Sequence, residues 1–164
     1  MENNPISQSE NKILRYWDWL SALPAGSLLF SWFLGKYAPY SGTIKSRVEK
    51  LKPGFARITL RDRRGVRNHL KSIHAIALMN LGEIATGLAV LTTLDSNMHG
   101  IVLQLKAEYL KKARGKLTAT ASFELPELVD EDLSCDAKTE ISDETGEVVA
   151  IVHATWLIGF KKQL

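Results

Sequence analysis

Asn68, His74 and Glu83 are the residues of this 164-residue chain whose types and spacing could do chemistry. They fall in RNHLKSIHAIALMNLGEIATG, residues 67–87, with six and then nine positions between them. Ile73, Ile76, Ala77, Leu81, Ile84 and Leu88 recur at spacings of one, three and four. That pattern predicts a helix from about Ser72 to Gly87, buried around most of its circumference. Asn68 and His69 lie in the loop before it, His74 in its first turn, and Glu83 about two and a half turns on. A carboxylate among apolar residues is costly unless it is hydrogen-bonded or used. Burial also raises its pKa, which suits a general base. Glu83 has no basic residue three or four positions away. Two readings of it stand on spacing alone: a general base, or a carboxylate that caps a neighbouring loop or pairs with a distant cation. His74 bonded to a backbone carbonyl and Asn68 at a helix entry are the ordinary structural roles for those two.

Other chemistries find no foothold. There is no GxGxxG and no phosphate loop, and no serine sits in a nucleophile elbow. The histidines are His69, His74, His99 and His153, and none shares zinc-ligand spacing with Cys135 or with another histidine. No metal and no resident cofactor is expected.

The elements that must position these residues follow from periodicity. GFARITLRD (54–62) alternates, with Ala56, Ile58 and Leu60 on the side expected to be buried. After the helix come strand-like runs over Leu88–Leu94, Gly100–Leu110, Lys116–Leu125, Leu133–Ile141 and Val148–Gly159, with SDETGE (142–147) as a hairpin turn. One helix of that hydrophobicity needs cover on nearly every side, and a curved antiparallel sheet wrapped around it supplies that cover. Upstream, Ile13, Leu14, Trp17, Leu20 and Leu23 have helical spacing, with Ser9 as a candidate cap and Pro24 and Gly26 as the stop. SLLFSWFLGKYAPYSG (27–42) is apolar and aromatic. We read residues 1–42 as a helical extension packed on a main domain over residues 43–164. Trp and Phe at helical spacing are more often core than membrane anchors, so contact with a membrane surface is the lesser reading.

Charge is unevenly spread. Residues 45–71 hold ten basic side chains against Glu49 and Asp62, whereas residues 124–147 are acidic with Lys138 as their only base. A basic segment attracts phosphates or other anions, or is simply a solvated face. Nucleic acid is disfavoured as a partner through RDRRGVR, because the basic residues alternate with buried positions on a predicted strand. Cys135 is the only cysteine, which fits a reducing compartment. MENNPISQSENK lacks the regions of a signal peptide, and the longest apolar run is far shorter than the roughly 20 residues of a bilayer span. A cytoplasmic location is expected.

The pattern N-x5-HA-x7-E-x3-G, followed by EYLKKARGKLTATASFE, resembles the hotdog-fold acyl-CoA thioesterases. Within that fold its motifs look most like the phenylacetyl-CoA thioesterase branch, and even more of the chain is similar to an uncharacterised thioesterase-like subfamily with its own N-terminal extension. The resemblance covers roughly Tyr40 to Lys161. In that branch an Asn precedes a His-Gly-Gly by six residues, an Asp or Glu follows nine after the His, and a strand ends in Tyr-x-x-Pro. Here Asn68, His74, Glu83 and Tyr109 hold those places. Ala75 stands for the first glycine and Ala113 for the usual proline, while Val102 stands where some relatives have a Ser or Thr.

The resemblance implies an α+β hotdog fold and a homodimer, with sheets joined edge to edge, that can pair further into a tetramer. It also implies acyl-CoA as the substrate, with coenzyme A entering only as part of it. The active site would lie at the dimer interface, with Glu83 of the partner chain as base or nucleophile and Asn68 orienting water or carbonyl. The Ala75 amide would be the oxyanion donor, with His74 positioning the loop. His69, Tyr109 and the basic Arg61, Arg63, Arg64 and Lys112 are candidates for substrate contact, the basic four by charge alone. Two alternatives remain. One is a non-catalytic acyl-CoA or lipid-binding module, which Val102 and the apolar LLFSWFL of the extension keep open. The other is a hydroxyacyl dehydratase-like enzyme using His69 with Glu83, although NHLKSIHA lacks the Pro-Gly-rich helix entry of that group.

Overall fold

Small and branched residues at alternate positions decide how this chain folds. In the computed structural model, which describes residues 11–127 and 132–161, the strands are β1 (Arg47–Lys52), β2 (Phe55–Leu60), β3 (Met98–Tyr109), β4 (Leu117–Ser122), β5 (Leu133–Ser142) and β6 (Val148–Phe160). The helices are α1 (Lys12–Ser21), α2 (Gly26–Tyr37), α3 (Pro39–Gly42) and α4 (Ala75–Leu91). All strand pairs are antiparallel, in the order β1-β2-β4-β5-β6-β3. The curved sheet wraps α4, which touches all six strands. This is the hotdog architecture the sequence suggested.

The inner face of the sheet is built to admit a helix closely. Ala56, Ala121, Thr139 and Val152 line up across four strands, as do Ile58, Ala119, Ile141 and Ala150. Opposite the first row sits Gly82 of α4, whose carbonyl accepts the Thr139 hydroxyl at 3.0 Å. A Cβ on Gly82 would stand 2.4 Å from Val152, so Gly82→Ala must push helix and sheet apart. Overpacking of this kind costs about 1–3 kcal/mol, and thermal or denaturant unfolding of Gly82→Ala should show a loss of that size.

The expected strand at Leu88–Leu94 does not exist. α4 runs on to Leu91, and Thr92 closes it, its hydroxyl donating to the Leu88 carbonyl at 2.8 Å. Val90, Thr92 and Thr93 made the run resemble a strand, but burial on every side outweighs a weak local preference. β1 was not foreseen. A bulge between Val48 and Lys50 breaks its alternation, so its two buried residues, Val48 and Leu51, stand three apart.

The extension is tied to the main body by polar side chains. The candidate cap Ser9 lies outside the described residues, and the N-cap of α1 is Asn11. Its side chain accepts from the amides of Ile13 and Leu14 and donates to the carbonyls of Leu91 and Leu94 at the end of α4. On α2, Ser27 donates to the Val48 carbonyl and Ser31 accepts the Val48 amide. These serines occupy the outer edge of β1 that an unpaired strand would leave open. At the opposite edge, β3 pairs only with β6 among the described strands, and its Ile101 and Leu103 are exposed. The aromatic residues of the extension divide: Trp17 and Phe30 are buried edge to face at 5.1 Å, whereas Trp19, Trp32 and Phe33 are exposed.

Candidate active site

The loop before α4 is held by its own hydrogen bonds. The His74 amide donates to the Val66 carbonyl at 2.7 Å, and the Ile73 amide to the Ala113 carbonyl at 2.9 Å. The Asn68 side-chain oxygen accepts from the amides of Leu70 and Ser72 and from the Ser72 hydroxyl. That oxygen is committed to shaping the loop, and only the NH2 end of Asn68 can serve a ligand.

His74 is the N-cap of α4. Its Nδ1 accepts the Ile76 amide at 3.1 Å, which assigns the ring proton to Nε2. The amides of Ala77 and Leu78 donate to the His74 carbonyl. The Ala75 N–H, first in the helix, has no acceptor among the described residues and stands at the positive end of the helix dipole. The Tyr109 hydroxyl, at the end of β3, donates to the Ala75 carbonyl at 3.1 Å and steadies this turn. His74, Ala75 and Tyr109 therefore meet at one place, and Asn68 shapes the loop that leads into it.

Glu83 lies elsewhere. Nine residues at about 1.5 Å rise put it about 13 Å along the helix from His74. It is half-buried, and its carboxylate has neither ion pair nor hydrogen bond among the described residues. Burial pushes its pKa up, with no cation to offset the shift. Its Oε1 lies 3.9 Å from where a Cβ on Gly87 would be, and the Trp156 ring edge lies 3.3 Å from that same point. The missing side chain at Gly87 thus leaves a notch that carboxylate and indole share. Trp156 is buried opposite Val102 on β3, and its indole N–H is the one fully buried side-chain polar atom without a partner among the described residues.

The remaining candidates spread around the loop. His69 is exposed. Asp62 accepts the Gly115 amide at 3.1 Å, which brings the 61–64 segment beside the turn that carries Lys112. Arg64 and Lys112 are exposed there, but Arg63 is spent on the Thr43 carbonyl at 3.0 Å. Arg61 faces a different cleft, shared with Lys45, Arg47 and the Glu49–Lys116 ion pair. Sequence reasoning missed Trp156 and Gly87. A tryptophan at an inward strand position reads as ordinary core, and only the glycine one turn after Glu83 hinted at a notch.

Comparison with known proteins adds family and fold. A family model described as "Domain of unknown function (DUF4442)" matches residues 26–158. The crystal structure of the genomics protein APC5556 is 26% identical, with 91% of this chain and 99% of that chain covered at a TM-score of 0.76. PA5026 of Pseudomonas aeruginosa, a protein of unknown function described as a probable thioesterase, is 25% identical, with 85% of this chain and 97% of that chain covered at 0.70. A thioesterase family protein from Silicibacter pomeroyi is 17% identical, with 80% of this chain and 96% of that chain covered at 0.68, a likeness of fold. No curated protein matches.

Proposed function

The chain belongs to the DUF4442 family, and from that premise we propose that it hydrolyses an acyl-CoA thioester to the free acid and coenzyme A. The observation that carries the reading is Glu83, a half-buried carboxylate with a raised pKa and no partner of its own among the described residues. Water adds to the thioester carbon as Glu83 takes its proton. The carbonyl oxygen, now bearing the charge, accepts the Ala75 N–H at the helix N-terminus. The C–S bond then breaks and Glu83 returns the proton to the leaving thiolate. Asn68 contributes its NH2 group to the carbonyl or the water, and Tyr109 holds the donor turn. Arg64 and Lys112 are the basic side chains best placed for the phosphates of coenzyme A.

The resemblance to the hotdog thioesterases implies a two-chain site, and helix geometry supports it. A general base works within hydrogen-bond reach of its proton, about 3 Å. Within one chain, Glu83 and the Ala75 amide are about 12 Å apart along the helix axis. A thioester bound at one N-terminus therefore needs Glu83 of a second copy. The edge of β3 is the natural seam, because the other sheet edge is covered by α2.

Thiol release from a panel of short- to long-chain acyl-CoA tests the proposal: the wild type should turn over at least one chain length, and Glu83→Gln should do so at least about 100-fold more slowly. Tight binding without turnover across the panel would instead favour the non-catalytic module. The specific observation behind that second reading is Val102, a strand residue facing Trp156 that offers water no hydroxyl.

A further inference from the structure

α2 is more apolar than its packing requires. Residues 26–35 carry no charge, yet only Gly26 and Phe30 of the helix are buried, with Ser27 and Ser31 bonded to β1. Leu29, Trp32 and Phe33 are neighbours at helical spacing and all exposed, and Tyr37 and Tyr40 further along are exposed as well. Trp32 is 56% exposed, Phe33 53% and Tyr37 90%. A helix that is apolar all round is ordinarily covered, and a contiguous exposed apolar face marks a protein or membrane contact.

Charge says which. Lys36 sits 5.7 Å over the Trp32 ring. Beside it a groove of about 720 Å³ runs between α2, α3 and Ile84 of the central helix, with Leu28, Trp32, Lys36, Lys45 and Arg47 in its lining; Arg47 Nε also donates to Ser27 Oγ at 2.9 Å, which leaves its outer guanidinium nitrogens for a ligand. No acidic side chain lines it. Over residues 11–46, Asp18 is the only acid against Lys12, Arg15, Lys36 and Lys45. A second copy docked face to face would set these cations against themselves, which is unfavourable. An anionic surface with an apolar interior meets both requirements.

We propose that the outer face of α2 and α3 docks on an anionic lipid bilayer. Trp32 and Phe33 enter the boundary between headgroups and acyl chains, where aromatic side chains are favoured. Lys36, Lys45 and Arg47 take the headgroup phosphates, the lysine stems lying along the apolar face. α2 is about 18 Å long, too short to span the roughly 30 Å hydrocarbon core, so it lies along the surface.

Co-sedimentation of the full chain with phosphatidylcholine vesicles, with and without phosphatidylglycerol, tests this independently of hydrolysis, so its failure leaves the thioesterase reading untouched. Binding is expected only with phosphatidylglycerol, at low salt, with a blue shift of tryptophan emission. At about fivefold per cation, Lys36→Gln with Lys45→Gln should weaken it about 25-fold. Trp32→Ser with Phe33→Ser should abolish it while folding, checked by circular dichroism, is retained. Three results would each overturn the proposal: no binding to phosphatidylglycerol vesicles at low salt, undiminished binding by the Trp32 and Phe33 variant, or a change in that variant's oligomeric mass without vesicles, which would make the face a protein interface.

Discussion

Glu83→Gln is expected to slow thiol release from acyl-CoA by about 10²–10⁴-fold, the range general-base catalysis supplies, with substrate binding little changed. Glutamine keeps the volume of the side chain beside Gly87 and Trp156 and removes only its basicity. The pH dependence has a definite sign. Burial holds the Glu83 pKa above that of a free glutamate, so wild-type kcat/KM should rise with pH through a midpoint above about 4.3. Stability should move the other way. With the folded pKa raised, the stability contributed by protonated Glu83 is full below the unfolded pKa and is lost as pH rises through the folded one. Glu83→Gln does not ionise, so its Tm should exceed that of the wild type at neutral pH, and the gap should close below about pH 4. A Tm that falls on this substitution at neutral pH would mean that Glu83 has a stabilising partner.

The second large effect concerns one backbone N–H. Ala75→Pro deletes the proposed oxyanion donor while leaving the hydrogen bonds within α4 intact, because the first helical N–H has no partner inside the helix. Proline is well suited to that position. The residue before it, His74, already has φ −66° and ψ 140°, the extended geometry that a following proline requires. Loss of one such donor elsewhere costs about 10²–10³ in kcat, and Ala75→Pro should fall in that range with Tm held near that of the wild type. An unchanged kcat would remove the helix N-terminus from the mechanism.

How much of this was legible in the sequence depended on local regularity. β2 and the strands after the central helix declared themselves through alternation, and the apolar helix through its period. β1 was hidden by the bulge at Val48–Lys50, and the last turn of α4 by a β-branched run that burial overrode. The spacing of Asn68, His74 and Glu83 singled out the candidate residues, and helix rise alone separates Glu83 from the proposed amide donor. Trp156 and Gly87 were not legible, because their meaning comes from the packing of β6 against α4. The exposure of Trp32 and Phe33 was missed for a related reason: helical spacing shows which residues share a face, not whether anything covers it.

The central claim is that each site takes its carboxylate from one chain and its amide donor from another. Mixing Glu83→Gln with Ala75→Pro under conditions that exchange subunits tests it most directly. In a mixed dimer one site would combine Glu83 of one chain with Ala75 of the other, while the second site would carry both defects. Random pairing of equal amounts should therefore restore activity to about a quarter of the wild-type value, well above either variant alone. Mixed dimers that form but stay as inactive as their parents would contradict the account.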